Sequence, residues 1–181
     1  MASWPAIARR IRVPLTFAFA AGYFVLARPT GRSILLGGIL VLPGVILRAV
    51  ASGHVQKNEQ LTTAGPYAYT RNPLYLGSLI IAAGFAVAAR SWWVAVAMLL
   101  IFAAIYIPVI HNEEAFLRQQ FPEFDDYSRA VPSLIPRLRP FRHAPSAFSW
   151  DLYLRHREYN AIVGSIAMML ALAAKLYWHL N

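Results

Sequence analysis

Long apolar runs constrain this chain more than any other feature. A membrane-spanning helix needs ~20 mainly apolar residues, within a range of about 17–25. Five segments approach that length: roughly Val13 to Arg28, roughly Ser33 to Val50, Pro73 to Ala89, Ser91 to Ile110, and roughly Ala161 to Trp178. The fourth carries no charge at all. Composition agrees: of 181 residues 58% are hydrophobic and 14% charged, where a soluble domain carries about 25% charged residues. The apolar residues gather into runs instead of recurring at the spacing of an amphipathic surface helix or strand. Backbone groups in lipid must be satisfied internally, which makes these spans helices. The expected fold is therefore all-α, a polytopic membrane bundle of about five transmembrane helices.

The connections are as informative as the spans. Only Arg90 and Ser91 separate the third span from the fourth, so those two form a tight antiparallel hairpin. A polar stretch, Asn112 to Asn160, lies between the fourth and fifth. The chain divides into helices 1 and 2 (1–52), a central core of loop, hairpin and polar segment (53–140), and a C-terminal part (141–181) with the last helix. Residues 141–160 mix aromatic with basic residues, which suits an amphipathic segment at the membrane surface or a plain linker into the last helix.

Basic residues set the topology. With five alternating helices, thirteen of the seventeen fall on one side: Arg9, Arg10 and Arg12; Arg48, Lys57 and Arg71; and seven arginines from Arg118 to Arg157. Arg28, Arg32, Arg90 and Lys175 fall on the other. The positive-inside rule puts the first set, and the N-terminus, in the cytoplasm. All eight acidic residues share that side, so nearly all the polar chemistry is cytoplasmic. The net charge of +9 then reflects topology and anionic headgroups; basic residues spread along a membrane edge do not suit nucleic acid. In a prokaryote the location is the inner membrane. Residues up to Val25-Leu26-Ala27 also resemble a signal peptide, whose cleavage would leave four spans with residues 64–77 still cytoplasmic.

Several chemistries are excluded or disfavoured. There is no cysteine, hence no disulfide, thiolate nucleophile or Cys-based metal site. None of the five histidines pairs as HxxxH or HExxH, so no metal site is expected. A Gly-rich phosphate loop, a GxSxG elbow and internal repeats are also missing from the sequence.

Two polar clusters remain. The first is AGPYAYTRNPLYLG, Ala64 to Gly77. Gly65-Pro66 signals a turn, Asn72 before a proline is extended, and Pro73 suits the first turn of a helix. Its tyrosines fit an interfacial belt equally well. Arg71 beside a helix start adds a bidentate donor to the free N–H groups there, an arrangement suited to an anion. The second cluster is IPVIHNEEAFLRQQFPEFDDYSRAVPSLIP. If the fourth helix runs on to about Gln120, Glu114 and Arg118 form an i,i+4 pair. Glu113 lies on a stripe with Ile110, Phe116 and Leu117, where a carboxylate wants a partner. The hairpin forces the two clusters together at its cytoplasmic end. Donors on one side, a carboxylate on the other and aromatics around both suit a small ligand with an anionic end and a hydroxyl-rich part, placed where a lipid tail enters from the bilayer.

GPYAYTRNPLYLG, followed one hairpin later by EEAFLRQQFPEFDDYSRAVPSLIP, resembles the isoprenylcysteine carboxyl methyltransferase family and its phospholipid methyltransferase relatives. The resemblance covers roughly Gly53 to Pro136 and rests on order, spacing and hairpin together. It implies a membrane methyltransferase that uses S-adenosylmethionine at the cytoplasmic face, with a lipophilic acceptor: a prenylcysteine-like carboxylate or a lipid amine. Carried over, Gln60, Leu61 and Thr62 line the cofactor through the loop backbone, with Gly65, Tyr67, Asn72, Pro73, Leu74 and Tyr75 beside it. Glu113 binds the adenosine portion, and Glu114 is a further cofactor-binding candidate beside it. Arg71, Tyr75 and Glu113 are the candidate catalytic residues, and Arg71 or the helix N-terminus suits the cofactor's carboxylate. No metal is implied.

Three positions depart from the family. Asn72 stands where histidine is usual, and it cannot titrate. Val109 stands about one turn before Glu113, where the isoprenylcysteine enzymes place a substrate-directed arginine. Phe121-Pro122 replaces Phe-Gly. Two other readings compete: a sterol- or steroid-type reductase using a nicotinamide dinucleotide, and a membrane protein without catalysis.

Overall fold

The computed structural model describes residues 19–56, 60–141 and 147–180. The described residues form helices and connecting loops, with no strand. Helix α1 covers residues 19–26. It is followed by α2 (Gly31–Ser52), a 3-10 turn at Gly65–Ala68, α3 (Pro73–Ala89), α4 (Trp92–Gln120), α5 (Phe124–Ala130), α6 (Trp150–Arg155) and α7 (Tyr159–Leu180).

Three of these, α2, α4 and α7, are long and apolar enough to cross a membrane, against the five spans expected. The third expected span is an apolar helix of 17 residues, roughly 26 Å at 1.5 Å per residue and so short of a bilayer core of about 30 Å. The first has only residues 19–26 in the described part; Arg9, Arg10, Arg12 and the start of that span lie outside it, as do Lys57 and Arg142. Large apolar side chains face outward along the bundle, among them Ile39, Leu99, Leu100 and Val163 at 59–63% exposure. In a soluble protein such a surface would aggregate; here it is the lipid face. Trp92 and Trp93 at the start of α4 and Trp178 near the end of α7 are also exposed, as at an interfacial belt.

Local sequence explains the helix ends. Thr30 and Ser33 form a capping box on α2: the Thr30 amide donates to Ser33 Oγ at 2.9 Å, and the Ser33 amide donates to Thr30 Oγ1 at 3.2 Å. Pro73 opens α3. The expected tight hairpin is present: α3 ends at Ala89, Arg90 takes a left-handed conformation (φ 49°), and Ser91 caps α4.

Helices α2 and α3 pack along glycines. A Cβ on Gly84 would lie 2.6 Å from Val41 Cγ2 and 2.7 Å from the Gly37 carbonyl oxygen. One on Gly44 would lie 2.8 Å from the Gly77 carbonyl oxygen. The backbones therefore approach as closely as small residues permit, the usual basis of helix association in lipid. Gly84→Val is expected to destabilise by ~1–3 kcal/mol through overpacking, read as a lower Tm in detergent. Gly38→Ala serves as control, because nothing lies within 4 Å of its missing Cβ.

Two cores result. One joins α1, α2, α3, α4 and α7 through Tyr23, Val41, Phe85, Val94 and Leu172. Tyr23 donates its hydroxyl to the Phe85 carbonyl at 3.0 Å. Lys175 on α7 holds the end of α1 by donating to the carbonyls of Phe24, Val25 and Ala27. The second core, Phe124, Tyr127 and Val131 with Leu61, Leu117 and Phe121, packs the polar segment under the end of α4. The tail returns to α2, where the Ser149 amide donates to the Gly53 carbonyl at 2.9 Å.

Candidate active site

The stretch after the 3-10 turn is fixed by the residues that follow α5. Arg71 and Asn72 amides donate to the carbonyls of Pro132 (2.9 Å) and Ser133 (3.1 Å). In return the Arg137 and Phe141 amides donate to Tyr69 and Ala68. Thr70 Oγ1 donates to the Ser133 carbonyl at 2.9 Å. Two segments about sixty residues apart thus make a pseudo-ladder with no regular strand.

Glu114 ties this ladder to α4. Arg71 donates to it through Nε (3.1 Å) and Nη2 (2.8 Å). Asn72 Nδ2 donates at 2.9 Å and Ser133 Oγ at 2.8 Å. Arg71 Nη1 also donates to the carbonyls of Ser128 and Val131, both at 2.6 Å. The Arg71 and Glu114 side chains are each only 14% exposed. Two expectations are corrected here. Arg118 does not pair with Glu114; it pairs with Asp125 at 2.8 Å and lies over the Phe124 ring. Arg71 does not wait for an anion, because four bonds commit its guanidinium to the protein. Asn72, in the place usual for histidine, is buried and bonded through its amide to Glu114 and Ser133.

Glu113 points elsewhere. It is exposed and accepts a 2.8 Å bond from the Tyr75 hydroxyl. The partner that its sequence position demanded is therefore a side chain across the hairpin. Tyr75 meets Tyr106 edge-on at 5.4 Å, and Tyr106 stacks on Phe102 at 4.9 Å.

Tyr75, Tyr106 and Glu113 line one cavity of about 490 Å³, within the 300–1,000 Å³ usual for small-ligand sites. Gln60, Leu61 and Thr62 form one wall, and Tyr67 lies beside them. Asn72, Pro73, Leu74 and Tyr75 form a second, while Glu113 and Glu114 close it from α4. Arg71 reaches its edge. Gly65 does not line it: its φ of 58° makes the turn, and a Cβ there would lie 2.6 Å from the His54 ring. Burial pushes the Tyr67 phenol well up, with Tyr127 and the carboxylates Glu113 and Glu158 adding to the shift. Tyr67 therefore presents a neutral ring at physiological pH.

Sequence reasoning missed Arg48, Tyr106 and Glu158 on the same cavity. Arg48 left a signal, being a charge inside an apolar span, where an ionisable residue deserves a functional hypothesis. Glu158, after α6, left none. Among the described residues no group of three or more His, Cys, Asp or Glu could hold a metal.

The phospholipid methyltransferase family model matches residues 34–123, which contain the hairpin and most of the cavity wall. The cobalt-zinc-cadmium resistance protein CzcN of Cupriavidus metallidurans is 36% identical over 158 residues, 82% of this chain and 71% of that protein. The nickel-cobalt-cadmium resistance protein NccN of Alcaligenes xylosoxydans xylosoxydans is 40% identical over 87 residues. That match takes in 48% of this chain and 41% of NccN, so the chain spans well under two thirds of that relative's length. No solved structure matches significantly.

Proposed function

The chain belongs to the phospholipid methyltransferase family of integral membrane proteins, and from this we propose that it transfers a methyl group from S-adenosylmethionine to a lipophilic acceptor at the cytoplasmic membrane edge. The observation that carries the reading is the 490 Å³ cavity, because it gathers the loop, the start of α3 and the end of α4 around one space.

The lining fits the cofactor's chemistry. Glu113, already accepting from Tyr75, suits ribose hydroxyls or the adenine amine. The faces of Tyr67 and Tyr75 suit a sulfonium cation, and the backbone at Gln60–Thr62 suits polar edges. Arg71 and Asn72 act as positioning residues through Glu114. When bound, the cofactor would supply an electrophilic methyl carbon for transfer to the acceptor's lone pair. The chain's part is to align the two partners and exclude water.

An acceptor has its own entry. A second cavity of about 460 Å³, mostly apolar, lies between α1, α3, α4 and α7. It shares Arg48 and Tyr106 with the first. A prenylcysteine-like carboxylate or a lipid amine would place its tail there. The carboxylate asks less of the site: it needs no deprotonation, whereas an ammonium must first give up a proton to a base. A nicotinamide dinucleotide fits less well. The described arginines on the cavity wall, Arg48 and Arg71, are both ion-paired, which leaves its phosphates poorly served.

Methyl-labelled S-adenosylmethionine should bind the detergent-solubilised protein in a saturable manner. Failure to bind, together with tight binding of a nicotinamide dinucleotide, would sink the reading. Tyr67→Phe should change cofactor affinity by less than about threefold, because the ring remains. Tyr67→Leu should cost about tenfold if the cation meets the ring face. Equal losses for both would point to the hydroxyl instead.

A further inference from the structure

The border between the two cavities is an ion pair. Arg48 on α2 donates to Glu158 through Nε (3.0 Å to Oε2) and Nη2 (2.9 Å to Oε1, 2.8 Å to Oε2). Its remaining nitrogen, Nη1, donates to the Leu74 carbonyl at 3.2 Å and to Ser78 Oγ at 2.5 Å, both on α3. The side chains are 22% and 13% exposed, so water does little to screen either charge. Arg48 lines both cavities and Glu158 only the first.

The partners are held unequally. Arg48 grows from the body of α2 and is anchored to α3 by Nη1 whatever Glu158 does. Glu158 sits in the short joint between α6 and α7, next to Arg157, which has a left-handed φ of 55°. A joint of this kind turns more readily than two packed helices separate. Displacing Glu158 would leave the Nε–Nη2 edge of Arg48 in place, facing both cavities and already shaped to a two-oxygen anion.

We propose that Arg48 and Glu158 form a latch between the two cavities, which an amphiphile with an acidic headgroup opens by taking Glu158's place on Arg48. The charge balance makes the latch selective. An acidic headgroup keeps the half-buried guanidinium neutralised after Glu158 leaves. A neutral or cationic headgroup would leave it bare, and a bare charge in such a site is strongly disfavoured. The occupant of the apolar cavity is thus a tailed lipid ending in a carboxylate or phosphate, with its headgroup at the Arg48 edge and its tail against residues such as Ile81, Phe85 and Met168. The proposal rests on the methyltransferase reading only for what happens to that headgroup next.

The test uses the full chain in neutral detergent and hexadecyl probes with a photoreactive diazirine in the tail, ending in carboxylate, phosphate, alcohol or amine. Cross-linked peptides are mapped by mass spectrometry. The two acidic probes should label the α3 and α7 cavity walls at least about fivefold more than the alcohol or amine. Glu158→Gln, which removes the competing carboxylate, should raise acidic labelling. Arg48→Gln should erase the preference, because no guanidinium remains to receive the acidic headgroup. Equal labelling by all four probes would overturn the proposal. So would stronger labelling by the amine, lower acidic labelling in Glu158→Gln, or an acidic preference that survives Arg48→Gln. Should Arg48→Gln fail to fold, Glu158→Gln decides alone. S-adenosylmethionine binding to the unaltered protein is measured in parallel. Its absence would sink the methyltransferase reading and leave the headgroup preference to stand or fall by itself.

Discussion

Glu113→Ala is expected to weaken S-adenosylmethionine binding by one to two orders of magnitude while the helical content and Tm stay close to those of the unaltered protein. A hydrogen bond to a charged group is worth ~1.5–3 kcal/mol, and each 1.4 kcal/mol is tenfold in affinity. Glu113 is exposed and its recorded partner is the Tyr75 hydroxyl. Under the proposed function, removing it takes a ligand contact from the cavity wall and almost nothing from the packing. Tyr75→Phe should cost less, because the carboxylate remains. The double variant should fall short of the sum of the two losses, since both groups act on one bond network. Isothermal titration with the cofactor measures all three. Unchanged affinity in Glu113→Ala would remove Glu113 from the site.

The neighbouring substitution should behave in the opposite way. Glu114→Ala is expected to destabilise the protein by ~3–5 kcal/mol, the cost of leaving a buried charge without its partner. Arg71 would lose both of its bonds to the carboxylate, and Asn72 and Ser133 would lose their shared acceptor. Arg71→Lys should lose much of the same energy, because an ammonium cannot reproduce the planar fork that reaches Glu114, Ser128 and Val131 together. Hydrogen exchange checks both variants: protection at Arg71 and Asn72, which donate to Pro132 and Ser133, should collapse before that of α2 and α3. A Glu114→Ala protein with normal Tm and normal protection would show that the network carries no stability. The contrast between adjacent glutamates follows from helix geometry. Consecutive residues point about 100° apart, so one carboxylate meets Tyr75 and the other the buried ladder.

Some of this site was legible in the sequence. Pro73 marked the start of α3, Arg90-Ser91 marked the turn, and a two-residue turn obliged Ala64–Gly77 and Glu113 to be neighbours. The cavity does lie between them. The partner choices were not legible. An i,i+4 rule put Glu114 with Arg118, but a pair on one exposed helix face is worth only ~0.3–0.5 kcal/mol. The buried alternative with Arg71 brings two backbone carbonyls, an amide and a hydroxyl into the same network. Arg71 looked like a ligand donor because its neighbours in sequence are a turn and a helix start. The acceptors that occupy it come from α4, from α5 and from the residue that follows α5, 43 to 60 positions away.

The sequence by itself determined that the chain is a helical membrane protein and where its hairpin turns. These follow from the length of apolar runs and from the chemistry of single residues, both of which act locally. The tertiary structure alone decided that Glu114 is tied into a buried network while Glu113 lies exposed on the cavity wall. It also decided that Arg48 on α2 and Glu158 before α7 meet 110 positions apart at the border of two cavities. Such pairings depend on the rotation of each helix about its axis and on the glycine seam that draws α2 against α3. Neither is written in any short stretch of the chain.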